Sequence, residues 1–194
     1  ASENIAPINE KITSSSANGQ MFSKNLRALN ALKSGKIPVV NTWLGASAFP
    51  TQHELFKGMV GMHGSYAPNL LTNECDVLIA IGMRFDDRVT GKLDEYARQA
   101  KVIHFEIDPA EIDKNVQTEV AVLGDAKLSL EAILPLINEN THTEWHQKFK
   151  ELYAIEYEKV IKNDLHPTKE GLTMGEVIKE INIQSKGNAA IVTD

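Results

Sequence analysis

Four short apolar runs, each set off from the next by a stretch long enough for a helix, predict an α/β fold. Its core would be a doubly wound, mostly parallel sheet with helices on both faces. The runs are Ile37-Pro38-Val39-Val40, Val77-Leu78-Ile79-Ala80-Ile81-Gly82, Val102-Ile103-His104-Phe105-Glu106-Ile107-Asp108 and Val120-Ala121-Val122-Leu123-Gly124. The composition agrees: 194 residues, 42% hydrophobic and 24% charged, leave room for one sizeable core and a second small element.

The elements follow in order. Met21, Phe22, Leu26, Leu29 and Leu32 recur at three- and four-residue spacing, which predicts a helix over residues 21–32 that ends near Gly35. The run at 37–40, closed by Asn41 and Thr42, suits a strand buried on both faces. Asp108-Pro109-Ala110-Glu111 reads as an N-cap, a proline at the first helical position and an acidic first turn. Asp125 caps a helix through Leu128, Leu130, Ile133, Leu134 and Ile137, with Pro135 placed to kink its last turn. After Asn138 the character changes. A highly charged helix is expected over residues 144–162, a break at residues 166–171, a last helix over 174–183 and an apolar strand over 188–194.

Charge and composition narrow the function. A net charge of -6 gives no broad positive field, and no local basic patch stands out, so nucleic acid is not an expected partner. No run of about 18 apolar residues is present and the first residues lack the order of a secretory signal; a membrane is not expected and a cytosol-like compartment is the default. The single cysteine, Cys75, precedes an apolar run and is expected to be buried and inert. His142 and His146 are one helical turn apart, which is zinc-ligand spacing. With no glutamate beside the first and no third ligand nearby, a solvated helix face is the better reading. There is no Gly-x-Ser-x-Gly elbow and no phosphate loop ending in Gly-Lys-Ser/Thr. The residues point to binding, with no catalytic or metal-ligating residue assigned.

Ligands of a doubly wound sheet sit outside the carboxyl ends of its strands. Thr42 and Trp43 end one strand, residues 82–88 follow a second, Glu106, Ile107 and Asp108 end a third, and Gly124, Asp125 and Ala126 a fourth. Gly82-Met83-Arg84-Phe85-Asp86-Asp87-Arg88 combines a glycine, which lets backbone amides approach a pyrophosphate, with arginines that grip phosphate oxygens. Without a ligand the same loop would serve as a solvated turn with internal ion pairs. Glu106 stands where an acidic group accepts hydrogen bonds from a nucleotide ribose. Gly58, Gly61 and Gly64 recur at every third position around His63, a weak signal alone.

The string as a whole resembles the large subunit of acetohydroxyacid synthase, a thiamine-diphosphate-dependent enzyme family. The carriers are Leu44-Gly45, Ala48-Phe49-Pro50, Gly58-Met59-Val60-Gly61-Met62-His63-Gly64-Ser65-Tyr66-Ala67, the run from Cys75 to Gly82, Arg84-Phe85-Asp86-Asp87-Arg88-Val89-Thr90-Gly91, and Ile107-Asp108-Pro109-Ala110-Glu111-Ile112 with Lys114-Asn115. The match is continuous over about residues 37–130, and the Arg-Phe-Asp-Asp-Arg-Val-Thr-Gly block is its most specific part.

What the resemblance implies is a three-layer α/β/α, Rossmann-like central domain that holds FAD in an extended pose. Carried over, the FAD contacts are Thr42, Trp43, Val60, Gly61, Met62, His63, Gly82, Met83, Arg84, Phe85, Asp86, Arg88, Val89, Glu106, Ile107, Asp125 and Ala126. The adenosine end would lie near Glu106 and Asp125, the pyrophosphate near Gly82 and Arg84, and the flavin toward Met62 and His63. Asp87, Arg88 and Met62 would face the channel to thiamine diphosphate. Three departures stand out: Trp43 replaces the usual leucine, Glu106 replaces the usual aspartate, and residues 11–20 carry only Gly19 where the family has an apolar strand and a glycine-rich turn.

The resemblance also implies an organisation: residues 1–140 as the FAD-binding-type domain, 141–170 as a helical linker and 171–194 as the opening of a thiamine-diphosphate-binding domain. On this reading the chain is a piece of a longer enzyme, inactive by itself. The parent would use thiamine diphosphate and magnesium, held by other domains, to condense two pyruvates, or pyruvate with 2-ketobutyrate, for branched-chain amino acid synthesis, with FAD mainly structural. Its partners would be the other domains of the same enzyme, further copies in a homo-oligomer and a regulatory subunit. The location would be cytoplasmic, or organellar in a eukaryote. The alternatives are a free-standing module for NAD or another adenine nucleotide, and a purely structural assembly domain.

Overall fold

Parallel pairing is what the apolar runs produce. A computed structural model of the chain describes residues 35–46, 48–167 and 170–190. In it β1 (Val39–Asn41) pairs in parallel with β2 (Phe56–Met59). A second parallel sheet is made of β3 (Val77–Ile81), β4 (Lys101–Glu106) and β5 (Val120–Leu123), in that order. Parallel neighbours need crossovers. Between β2 and β3 comes α1 (Tyr66–Glu74); between β3 and β4 come the single turn α2 (Asp87–Thr90) and a 3-10 turn, Leu93–Glu95; β5 leads into α3 (Ala126–Ile133). The fold class is therefore α/β with parallel strands flanked by helices, as the run-and-gap pattern predicts.

Three details differ from expectation. One sheet was expected, and two are seen: among the described residues no strand joins β1 to β3. The helix predicted over 21–32 and the polar segment 11–20 lie outside the described residues. Second, β1 is half-buried rather than covered on both faces, and Val77, Val120 and Leu123 are exposed. The reason is position. β4 is central, with its last three residues buried, whereas β3 and β5 are edges among the described strands. β1 and β3 also border an apolar cavity of about 610 Å³ lined by residues that include Ile37, Val39, Phe49, Leu71, Ile79 and Phe149. Third, the Asp108-Pro109 signal makes only a 3-10 turn, Pro109–Glu111, because Asp113 soon takes φ 57° and ends any helical run.

Other local signals act as read. Asp125 Oδ1 accepts from the Leu128 amide at 2.8 Å, which caps α3, and Pro135 turns its end into the 3-10 turn Leu134–Leu136. α1 tolerates Pro68 because that residue lies in its first turn, where no intrahelical N–H is needed.

The core is built of small apolar clusters. Phe105 and Leu130 pack with Ile79, Ile103, Val122 and Ile133, which seats α3 on the larger sheet. Phe49 and Leu55 pack with Ile37, Val39, Phe56 and Ile81. Cys75 is half-buried rather than buried, and its Sγ donates to the Thr72 carbonyl at 3.1 Å. Burial first, and Asp76 second, push its thiol up to about 11.

The chain divides into two compact units, one ending at Phe149 and one beginning at Lys150. The charged helix is α4 (Thr143–Glu156), extended by a π-helical turn, Tyr157–Ile161, and α5 (Lys162–Leu165). His146 Nε2 is 2.9 Å from the Lys36 carbonyl, while His142 precedes the helix at φ 44°, so the two do not share a helical face. Among the described residues no cluster is arranged to hold a metal. In the second unit, Thr173 and Glu176 form a reciprocal capping box at the start of α6 (Met174–Ser185). Residues 188–190 carry no regular structure, and the rest of the expected last strand lies outside the described residues.

Leu130 is fully buried and Leu128 is 54% exposed on the same helix. Leu130→Ala should cost about 2–5 kcal/mol in urea denaturation, and Leu128→Ala about 0.5 kcal/mol or less. With its pKa near 11, Cys75 should alkylate slowly at neutral pH, at a rate that rises about tenfold per pH unit until it levels off near 11. A thiol in the native chain that reacts at the denatured rate at pH 7 would contradict this.

Candidate functional site

Each strand end opens into a turn whose geometry follows from one or two residues. After β1, Thr42 Oγ1 accepts from the Gly45 amide at 3.1 Å, which curls the chain and leaves Trp43 64% exposed. The Trp43 ring lies 6.5 Å from that of His63, edge on.

Gly61, after β2, sits at φ 101°, and the Asn69 side chain grips it twice. Its Oδ1 accepts from the Gly61 amide at 2.8 Å, and its Nδ2 donates to the Gly61 carbonyl at 3.0 Å. The next amide, of Met62, donates to the Arg88 carbonyl at 2.7 Å. A Cβ on Gly61 would stand 2.8 Å from that same carbonyl oxygen, so glycine is required both by φ and by contact. Arg88 Nη1 lies 4.0 Å from the Met62 sulfur. The turns after β2 and β3 thus form one patch that includes Val60, Gly61, Met62, Arg88 and Val89.

The turn after β3 is the most constrained. Gly82 has φ 61° and its amide continues the ladder to the Phe105 carbonyl at 2.9 Å. Phe85 has φ 53°, a conformation costly for a residue with a Cβ, of order 1 kcal/mol. Its ring is 2% exposed and packs edge on against His104, 5.1 Å away, and Tyr96, 6.3 Å away. Burying a phenylalanine is worth about 2–3 kcal/mol, which offsets the strained backbone. Asp86 Oδ1 accepts from the Arg88 amide at 3.1 Å, and the exposed Arg84 lies 3.5 Å from Asp86 Oδ2.

At the ends of β4 and β5 the acidic residues are occupied. Glu106 is 4% exposed; its Oε1 accepts from the amides of Ile107 at 2.8 Å and Asp108 at 3.2 Å. The Gly124 amide donates to the Glu106 carbonyl at 2.9 Å, which draws the Asp125-Ala126 turn beside it. Asp125 keeps Oδ2 free of the cap bond made by Oδ1, and Ala126 is buried. The large cavity touches only Thr42, Val60 and Met83 of the expected contacts. It is an apolar slot between β1 and β3, whereas the other residues of the set line the strand ends.

Three side chains that sequence reasoning did not assign hold these turns. Asn69 clamps Gly61, His104 Nε2 bonds the Met83 carbonyl at 2.9 Å, and Asn115 Nδ2 donates to the carbonyls of Arg84 and Phe85, each at 3.1 Å. Their partners are backbone atoms far away in sequence, which no spacing rule exposes. Asp113 closes the loop that carries Asn115. Its carboxyl is held below the ordinary carboxylate range chiefly by the Thr118 hydroxyl and then by the Thr118 amide, both 2.7 Å from Oδ1.

The chain is similar to known proteins over most of its length. Residues 20–133 match the family described as "Thiamine pyrophosphate enzyme, central domain". The chain is 43% identical over 165 residues to the "Probable acetolactate synthase large subunit" of Methanocaldococcus jannaschii, covering 82% of this chain and 28% of that protein. It is 53% identical over 106 residues to the "Acetolactate synthase large subunit" of Parasynechococcus marenigrum, covering 55% of this chain and 17% of that protein. It is 35% identical over 182 residues to the "Acetolactate synthase isozyme 3 large subunit" of Escherichia coli, covering 90% of this chain and 30% of that protein. The chain thus spans less than a third of the length of these relatives.

Gly61→Ala should lower stability by about 2–3 kcal/mol, since backbone strain and a steric overlap add. Gly91 also has a positive φ, 60°, but a Cβ there meets nothing within 4 Å, so Gly91→Ala should cost only about 1 kcal/mol. Thermal denaturation of both variants checks the order; equal losses would remove the steric part of the argument.

Proposed function

This chain belongs to the thiamine pyrophosphate enzyme central-domain family, and from that premise we propose that it is the cofactor-holding middle of an acetolactate synthase large subunit. Its own task is to bind FAD along the strand ends. The observation that carries the reading is the joining of the turns after β2 and β3 through the Met62 amide and the Arg88 carbonyl, 2.7 Å apart. That bond gathers Val60, Gly61, Met62, Arg88 and Val89 beside the turn that carries Arg84.

The residues present fit an anionic dinucleotide. The pyrophosphate falls to Gly82, Met83, Arg84, Phe85 and Asp86, where arginine and backbone amides supply positive ends of dipoles. The flavin falls to Met62 and His63, with the exposed Trp43 ring 6.5 Å from His63, and Thr42 and Val60 behind them. The adenosine falls to Glu106, Ile107, Asp125 and Ala126. Here one oxygen of each acid is already used by a turn, so only Glu106 Oε2 and Asp125 Oδ2 remain for hydroxyl groups. When bound, FAD would supply a flat aromatic ring and a charged tail for these residues to hold.

The whole enzyme would condense two pyruvates, or pyruvate with 2-ketobutyrate, using thiamine diphosphate and magnesium held by its other domains. Those domains, further copies of the subunit and a regulatory subunit are the proposed partners, and a cytoplasmic or organellar compartment the proposed location. Among the described residues no helix is long and apolar enough to cross a membrane.

Titration of the chain with FAD, followed by flavin fluorescence, should give a saturable change in the micromolar range, with NAD a poor competitor. Arg84→Ala should weaken binding about tenfold, the loss of one charge-assisted contact. With pyruvate, thiamine diphosphate and magnesium, the chain alone should form no acetolactate. No saturable change at high micromolar FAD would sink the binding role, and tighter binding of NAD would replace it with an adenine-nucleotide module.

A further inference from the structure

Two polar side chains that hold the turn after β3, one buried and one exposed, have no role in the reading above. His104 is fully buried, and its Nε2 lies 2.9 Å from the Met83 carbonyl. A carbonyl can only accept, so Nε2 carries the proton. Asn115, on the loop before β5, donates through one nitrogen to the carbonyls of Arg84 and Phe85. Three successive carbonyls, of residues 83, 84 and 85, are therefore each held by one of two side chains, His104 or Asn115.

A trans peptide points its C=O and its N–H in opposite directions, and no peptide bond among the described residues is cis. Each carbonyl so held sends the following amide away from the side chain that holds it, and these are the amides of Arg84, Phe85 and Asp86. No described hydrogen bond uses any of the three. Successive backbone N–H groups of this kind make an anion-binding concavity. The Arg84 guanidinium is exposed beside it, with Asp86 Oδ2 at 3.5 Å as the nearest opposing charge.

We propose that His104 and Asn115 are positioning residues for this concavity: by holding the carbonyls of Met83, Arg84 and Phe85 they present the amides of Arg84, Phe85 and Asp86 to a pyrophosphate group. The inference rests on the reading of this turn as the pyrophosphate end of the FAD site. It deepens that reading by naming which backbone amides would donate beside the Arg84 side chain, and the two residues that aim them. His104 acts from the core and Asn115 from the surface, so their removal affects folding differently and ligand binding alike.

The test uses the full 194-residue chain, labelled with nitrogen-15 and titrated separately with FAD and with sodium pyrophosphate. In the native chain the amide resonances of Arg84, Phe85 and Asp86 should move saturably with both. Asn115→Ala, an exposed position, should stay folded and weaken FAD about tenfold, the loss expected when two carbonyls lose their shared donor and the turn relaxes. His104→Leu should do the same if it folds, and His104→Gln, whose amide nitrogen still donates, should bind within about threefold of the native chain. Folded variants that bind both probes as tightly as the native chain overturn the positioning role and leave the FAD site standing. A native chain that ignores FAD but whose three amides follow pyrophosphate, with the response lost in Asn115→Ala, sinks the FAD reading and keeps the concavity. A native chain that responds to neither overturns both.

Discussion

The arrangement of the strand ends depends on the hydrogen bond from the Met62 amide to the Arg88 carbonyl, 2.7 Å long. No described strand pairing joins β1-β2 to β3-β4-β5. Apolar packing of Ile81 with Phe49 and Leu55 brings the two sheets together, but such contacts are non-directional and do not fix how the sheets' ends align. The backbone bond does, because it is directional and ties the turn just after β2 to α2, the first helical turn after β3. It exists only if the chain can pass within van der Waals distance of residue 88, and glycine at 61 allows that. Asn69 then removes the remaining freedom by bonding both the amide and the carbonyl of that glycine.

A second regularity concerns charge. The sequence places Asp86, Glu106, Asp108 and Asp125 at the strand ends, which looks hostile to an anionic ligand. In each case one carboxylate oxygen accepts from a backbone amide one to three residues on: Arg88, Ile107, Ala110 and Leu128 respectively. These acids shape turns, and each spends part of its charge on a local N–H. Attraction for an anion must then come from Arg84, Arg88 and backbone dipoles. The site works by the geometry of its turns more than by net charge, in keeping with a chain whose overall charge is negative.

The sequence made the strands legible where burial is simple. β3, β4 and β5 are apolar runs bounded by polar residues, and each was readable to within a residue or two. β2 was not, because Phe-Lys-Gly-Met has one apolar face and a glycine, which reads as a loop. α1 escaped for a similar reason, since a proline and two asparagines mask a nine-residue helix. Pro109 misled in the other direction: a cap and a proline start a helix, but Asp113 takes φ 57° one turn later and the chain leaves the helical path. Among site residues, Gly61, Gly82 and Arg84 announce themselves by type. Asn69, His104 and Asn115 do not, because each holds a backbone atom 8, 21 or about 30 residues distant.

His104 sharpens the point, since an apolar side chain there would leave the Met83 carbonyl without its partner. It is fully buried, packs edge on against Phe85, and stands 3.9 Å from the nearly buried Glu106. Its Nδ1 finds no hydrogen-bond partner among the described residues. Buried polar pairs of this kind add little stability compared with well-packed apolar side chains, and an unpaired nitrogen subtracts from it. What an apolar residue could not do is satisfy the Met83 carbonyl. Without that bond the peptide between Met83 and Arg84 loses its reason to point its oxygen inward, and the strained φ of Phe85 loses one of the contacts that hold it. The histidine is thus better explained by the single turn conformation it selects than by the energy it contributes.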